Sequence, residues 1–143
     1  MAVHFKPADM PTLTPALPGG ARLIEFAKRV LGAETVRLYP MGDRVAHAEI
    51  RIGESLVMTG DPMGADALPP ASVHVYVPDC DAAYGRALAA GARTKQEPKD
   101  QFYGDRTARV VDPFGNQWSF ATHVEDVSED ELMRRMKALE GGG

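Results

Sequence analysis

One cysteine is too few for an internal disulfide: Cys80 is the only thiol in 143 residues, and a lone thiol fits a reducing compartment. It opens an alanine-rich helical stretch and reads as a helix-start residue rather than a nucleophile. No apolar run approaches the roughly 20 residues needed to cross a bilayer, and the opening MAVHFKPADM has neither the basic segment nor the apolar stretch of a secretion signal. No membrane partner is expected, and the cytoplasm is the expected location. The net charge is −4 and basic residues are scattered among acidic ones, so a phosphate-binding surface is missing and nucleic acid is not an expected partner. No G-x-S-x-G, P-loop or dinucleotide fingerprint occurs, and no Ser/His/Asp set stands out, which leaves hydrolases and nucleotide enzymes without support.

What the chain does contain is a pattern that occurs twice. Residues 12–17, TLTPAL, are short and β-like; Leu23, Phe26, Ala27, Val30 and Leu31 then recur on one helical face, and Gly32 ends that helix. VRLYP (36–40), VAHAEIRI (45–52) and SLVMTG (55–60) follow as strands, parted by Met41-Gly42-Asp43 and Gly53-Glu54. After a Pro/Gly/Asp-rich linker at 61–71 the order returns: SVHVYV (72–77), a helix through Ala83, Tyr84, Ala87 and Leu88 to Gly91, then strands near 92–96, 105–111 and 116–122. GDRVAHAEIRIGESLVMTG, from Gly42, aligns without a gap on GDRTARVVDPFGNQWSFAT, from Gly104, with identical residues at Gly42/Gly104, Asp43/Asp105, Arg44/Arg106, Ala46/Ala108 and Gly53/Gly115. The reading is a duplicated β-α-β-β-β unit, repeat one at about 11–60 and repeat two at about 72–123, behind a leader at 1–10. Residues 124–140 add a C-terminal helix with Ser128 as N-cap, Glu131 as the other half of a capping box, Val127 and Leu132 as a hydrophobic staple, and an apolar stripe of Met133, Met136 and Leu139. Glycines 141–143 are expected to form a flexible tail.

Two such units in tandem, with DPFGN leading into the last strand, resemble the vicinal oxygen chelate superfamily, which includes glyoxalase I, extradiol dioxygenases, fosfomycin-resistance enzymes and bleomycin-resistance proteins. The resemblance covers residues 11–123, and LTPAL, HAEIRIG, QFYGDR, DPFGNQW and ATHVEDVS are similar to the PhnB-like branch of the glyoxalase/bleomycin-resistance proteins. It implies an α+β fold in which two tandem βαβββ repeats form a curved eight-stranded cup around a small organic molecule, with helices outside, often as a homodimer.

Strand alternation sorts residues between the helix-covered side and the cup. On the first strand Leu13 and Leu17 go to the helix, and Thr12, Thr14 and Ala16 face in. On VAHAEIRI the helix side takes Ala46, Ala48, Ile50 and Ile52, leaving Val45, His47, Glu49 and Arg51 for the cup. Leu56 and Met58 are expected outside, Val57 and Thr59 inside. In the second repeat Val73, Val75, Val77, Trp118 and Phe120 go outside; Ser72, His74, Tyr76, Ser119 and Ala121 go inside.

The metal enzymes of the superfamily draw His, Gln or Glu ligands from the first and last strands of both units. Carried onto this chain those positions are Thr14, Val57, His74 and Ser119, of which His74 is the only usual ligand type, so no metal or other cofactor is expected at the standard site. A displaced divalent metal would have His47, Glu49 and His74 as ligands; the plainer alternative pairs Glu49 with Arg51 or Arg109 and leaves His47 merely hydrogen-bonded. The same three residues, His47, Glu49 and His74, are the candidates for acid/base catalysis. Tyr76 and Tyr103 offer flat amphipathic surfaces, Tyr103 from a DQFYGDR loop at the cup mouth, and Arg109 offers a forked donor for a carboxylate or phosphate. With Thr14 and Ser119 these residues form the expected ligand site. Asp112, Pro113 and Gly115 are read as turn residues, Trp118 as core. The expected function is a metal-independent protein that sequesters a small organic ligand; the alternative is a glyoxalase-like lyase or isomerase using a displaced metal or His/Glu catalysis.

Overall fold

A computed structural model of the chain describes residues 3–62 and 67–141. The start of the leader, the middle of the linker and the last two tail glycines lie outside the described residues. Two compact units meet at Ala71 and Ser72. The first contains β1 (Ala16–Pro18), α1 (Gly20–Leu31), β2 (Glu34–Met41), β3 (Arg44–Ile52) and β4 (Ser55–Gly60). The second contains β5 (Ser72–Tyr76), α2 (Cys80–Ala89), β6 (Arg93–Asp100), β7 (Asp105–Val111), β8 (Gln117–His123) and a final helix, α3 (Glu129–Gly141). Each unit has a four-stranded sheet of the same order, β1-β4-β3-β2 and β5-β8-β7-β6, parallel in its first pair and antiparallel in the others. The expected β-α-β-β-β order is therefore present twice, with the C-terminal helix after it.

The two cores are assembled differently. α1 places Leu23, Ile24, Phe26, Ala27 and Val30 under its sheet, against β3 and β4, where Ala48, Ile50 and Val57 are buried as well. Each large apolar side chain removed from water contributes about 1.5–3 kcal/mol. Left-handed Gly32 closes the helix, with its N–H and that of Ala33 returned to the last-turn carbonyls of Lys28 and Ala27. α2 buries only Cys80, Ala83 and Ala87, so the bulk comes from the sheet as Trp118, Phe120 and Val110. Asp79 caps α2 by accepting the Ala82 N–H at 3.1 Å. Cys80 is the buried helix-start residue expected, and burial pushes its thiol pKa up, away from the nucleophilic range.

Expectations about faces need correction on three strands. β1 is shorter than TLTPAL, and Leu13, expected under the helix, is 77% exposed; Pro11 and Pro15 have no N–H to give a ladder, and Pro15 enters only as the acceptor for Met58 N–H. Ala46 is the extra residue of a bulge opposite the Tyr39-Pro40 step, so it is Val45 that is buried. On β4 the faces are inverted. Val57 and Thr59 pair with Ile50 and Ala48 and are buried with them, while Leu56 and Met58 pair with Arg51 and Glu49 on the open side. The gapless repeat alignment fails here because β3 turns into β4 through Gly53-Glu54 alone, whereas residues 112–116 separate β7 from β8. Those loops differ by an odd number of residues, and an odd slip exchanges the two faces of the following strand.

In α3, Ser128 Oγ accepts the Glu131 N–H at 3.2 Å as expected of an N-cap. The Glu131 carboxylate binds Arg134 and Arg135, and no residue of the helix is buried.

Candidate functional site

Each sheet has a helix-covered face and an open face, and the candidate residues lie on the open ones. In the second unit, register places His74 beside Ser119, Ser119 beside Arg109, and Arg109 beside Gln96, one row across all four strands. His74 Nδ1 and Ser119 Oγ are hydrogen-bonded at 3.1 Å, and Arg109 Nε donates to Gln96 Oε1 at 3.1 Å. Gln96 and Gln101 both donate from Nε2 to Thr107 Oγ1. On this row lies a depression of about 390 Å³ lined by Ser72, His74, Gln101, Tyr103, Thr107, Arg109, Gln117 and Ser119 among others. Arg109 is the one guanidinium among the lining residues, which include no carboxylate.

The expected residues Tyr103, His74, Arg109 and Ser119 are thus brought together. Tyr76 is on the same strand face, with its ring edge-on to His74 at 5.2 Å, but its hydroxyl is engaged, donating to Asp105 Oδ2 at 2.7 Å. Asp105 is 4% exposed and is also bonded at 2.9 Å by His123 Nδ1, whose Nε2 reaches Asp126 at 2.7 Å. Burial alone would raise the Asp105 pKa, but the hydrogen bonds from Tyr76 and His123 outweigh it and hold it below the usual aspartate range. The bonds to Asp105 and Asp126 raise the His123 pKa, and the bond to Asp105 raises that of Tyr76.

The first unit gathers charge around one buried carboxylate on its open face. Glu49, 6% exposed, accepts from Arg37 Nη1 at 2.6 Å and from His47 Nε2 at 2.8 Å. The expected partners Arg51 and Arg109 are not the ones it uses: Arg37 stands directly across the ladder from it, and Arg109 is bonded to Gln96. The bond from His47, assisted by that from Arg37, holds the Glu49 carboxyl below the usual glutamate range against the effect of burial. Arg37 also bonds the leader carboxylate of Asp9. A second depression of about 380 Å³ lies beside His47, lined by Ala16, Ala46, Met58 and Thr59 among others. Thr14 is half-buried and precedes β1.

Equivalent points of the two units are marked by one bond: Thr59 Oγ1 donates to Leu17 O, as Thr122 Oγ1 donates to Val77 O. Counting from that mark puts Leu56, not Val57, at the position matching Ser119. The donors at the inherited metal positions are then Thr14, Leu56, His74 and Ser119: one imidazole, two neutral hydroxyls and a hydrocarbon, a set that does not fit a divalent ion. Of the displaced set, His47 and Glu49 are bonded together in the first unit, while His74 in the second is bonded to Ser119. Among the described residues no group of three or more His, Cys, Asp or Glu is arranged to hold a metal ion.

The fold agrees with comparisons to known proteins. The model of the Glyoxalase/Bleomycin resistance protein/Dioxygenase superfamily matches residues 19–120. The chain belongs to that superfamily. It is 34% identical over 154 residues to the uncharacterized protein Mb0911c of Mycobacterium bovis, covering 99% of this chain and 100% of that one. Among solved structures it is similar to TioX from Micromonospora sp. ML1, with a TM-score of 0.65 and 26% identity over 80% of this chain and 100% of the other. A PhnB protein from Bacillus cereus shares the superfamily fold, with a TM-score of 0.63 at 16% identity over 78% of this chain and 99% of its own.

Sequence reasoning missed Arg37, Asp9, Gln96, Gln101, Thr107 and Gln117. Arg37 and Tyr39 alternate on β2 as Glu49 and His47 do on β3, a usable signal. Gln96 carried none, because β6 is irregular on both sides of it.

Proposed function

We propose that this chain is a small-molecule-binding protein of the glyoxalase/bleomycin-resistance type, which holds a small, partly flat organic anion on the open face of its second unit without the superfamily's usual divalent metal. The observation that carries this reading is the row His74, Ser119, Arg109 and Gln96 beneath a depression with no carboxylate in its lining. A guanidinium whose Nε is tied to a neutral glutamine keeps its charge uncompensated there, so a planar anion gains a forked, charge-assisted pair of hydrogen bonds. The rings of His74 and Tyr103 give a flat ligand apolar surface beside it. A homodimer in the cytoplasm accompanies this reading; exposed Met133, Met136 and Leu139 supply apolar surface for a second copy, and no helix among the described residues is long and apolar enough to cross a membrane.

Native mass spectrometry of the untagged protein tests subunit number, bound metal and copurified small molecules together. A dimer carrying an organic molecule and no stoichiometric metal is expected; close to one equivalent of a divalent ion that also supports turnover would sink the proposal. One observation favours a catalytic second reading, proton transfer at His47 oriented by Glu49. Against it, Arg37 shares the Glu49 carboxylate, which leaves that group less to hold the imidazole. If that reading holds, Glu49→Ala and His47→Ala abolish turnover while ligand affinity stays within about tenfold.

A further inference from the structure

We infer that the C-terminal helix acts as a clasp on the loop that rims the ligand depression, with Arg135 as its positioning residue. The inference rests on reading that depression as a ligand site. Residues 101–104, between β6 and β7, contribute Gln101 and Tyr103 to its lining. The carbonyls of this loop are bonded by the chain that follows β8. Gly104 O accepts both the Val124 N–H, at 2.9 Å, and the Glu125 N–H, at 3.0 Å. Phe102 O accepts from Arg135 Nη1 at 2.8 Å. The same guanidinium holds both oxygens of Glu125 at 3.0 Å and bonds Glu131 at 3.1 Å. One planar fork therefore joins three pieces of chain: the helix, the segment leading into it and the loop.

Contact at the other end of the loop is equally close. Gly104 has a φ of 101°, and a Cβ there would run into the Glu125 carbonyl oxygen and come within 3.1 Å of Val127 Cγ2. Because no residue of α3 is buried, apolar burial gives little account of its position, and the Arg135 bonds take that role. Their consequence reaches the rim through one peptide. Phe102 and Tyr103 are consecutive, with rings edge-on at 5.3 Å, so fixing the Phe102 carbonyl fixes the direction in which Tyr103 leaves the backbone. Arg135 acts on the ligand through Tyr103, its own hydrogen bonds going to Phe102, Glu125 and Glu131; releasing the helix loosens the rim.

The test uses the full-length chain, amide hydrogen exchange and Tyr103 ring resonances as readouts, and benzoate as the probe of the depression. Arg135→Ala is expected to speed exchange at residues 101–105 about five- to tenfold while leaving the first unit unchanged, and to weaken benzoate binding about threefold or more. Arg135→Lys, which can still reach one acceptor, is expected to recover part of both effects. Glu125→Gln is expected to act in the same direction and to add little to Arg135→Ala, since both break one network. Unchanged exchange and an unchanged Tyr103 resonance in Arg135→Ala would overturn the clasp, as would a uniform rise across the whole second unit. Failure of the wild-type chain to bind benzoate would overturn the ligand reading instead, and the exchange data would still decide the clasp.

Discussion

The two open faces rest on sheets of identical strand order, yet one gathers its charges around a buried glutamate while the other holds a cation among neutral groups. In the first unit Arg37 lies between Glu49 and Asp9, and His47 leans on the same Glu49. In the second, Arg109 and His74 have only neutral side-chain hydrogen bonds, to Gln96 and Ser119. A buried carboxylate compensated by its neighbours is structural, because removing any partner leaves an unpaired charge. A cation held by neutral groups is available to a ligand. The duplication thus preserved the scaffold while the side chains of the open faces diverged.

The largest test of this contrast is Asp112→Ala. Asp112 is more than the turn residue expected: its carboxylate, 3% exposed, accepts the N–H groups of Phe114 and Asn116, the Asn116 side-chain amide and the Trp118 indole N–H. The two-residue hairpin of the first unit has no such keystone. Loss of about 3–4 kcal/mol is expected, with the second unit melting first by urea titration followed through Trp118 fluorescence.

Val57→Ser should come next, at about 2 kcal/mol, with Met58→Ser below about 1 kcal/mol, because only Val57 is under the helix. Equal costs in thermal melts would mean that the two faces of β4 are assigned wrongly. For ligand, Arg109→Ala is expected to weaken benzoate about tenfold, and Arg37→Ala to leave it within about twofold, by calorimetry; a reversed order would move the site to the first unit.

The smallest effect is a pH dependence. His123 has its pKa raised by Asp105 and Asp126, so the stabilisation from its proton is present in full below the ordinary histidine range and is lost as pH rises through the raised value. A slight fall in melting temperature across that interval is expected in the wild type and none in His123→Gln, screening keeping it small because His123 is largely exposed.

The repeat, the helices, six of the strands nearly to their ends and the superfamily resemblance were all legible from periodicity, turn glycines and the DPFGN stretch, since these are local properties of the backbone. The open-face positions of His74 and Ser119 were legible too, because β5 and β8 alternate between polar and apolar residues. The inverted face of β4 was not, because identical turn glycines at Gly53 and Gly115 conceal loops of different length. Nor was the Arg37 partner of Glu49, which is a matter of ladder register between strands.

By itself the sequence determined which segments are strands and helices and that they come twice in one order. Only the tertiary structure decided which charges cancel and which remain, and that α3 reaches back to the Tyr103 loop. The reason is physical: local propensity and periodicity act over a few neighbouring residues, whereas neutralising a charge or bonding a distant carbonyl depends on which strands and loops the fold sets side by side.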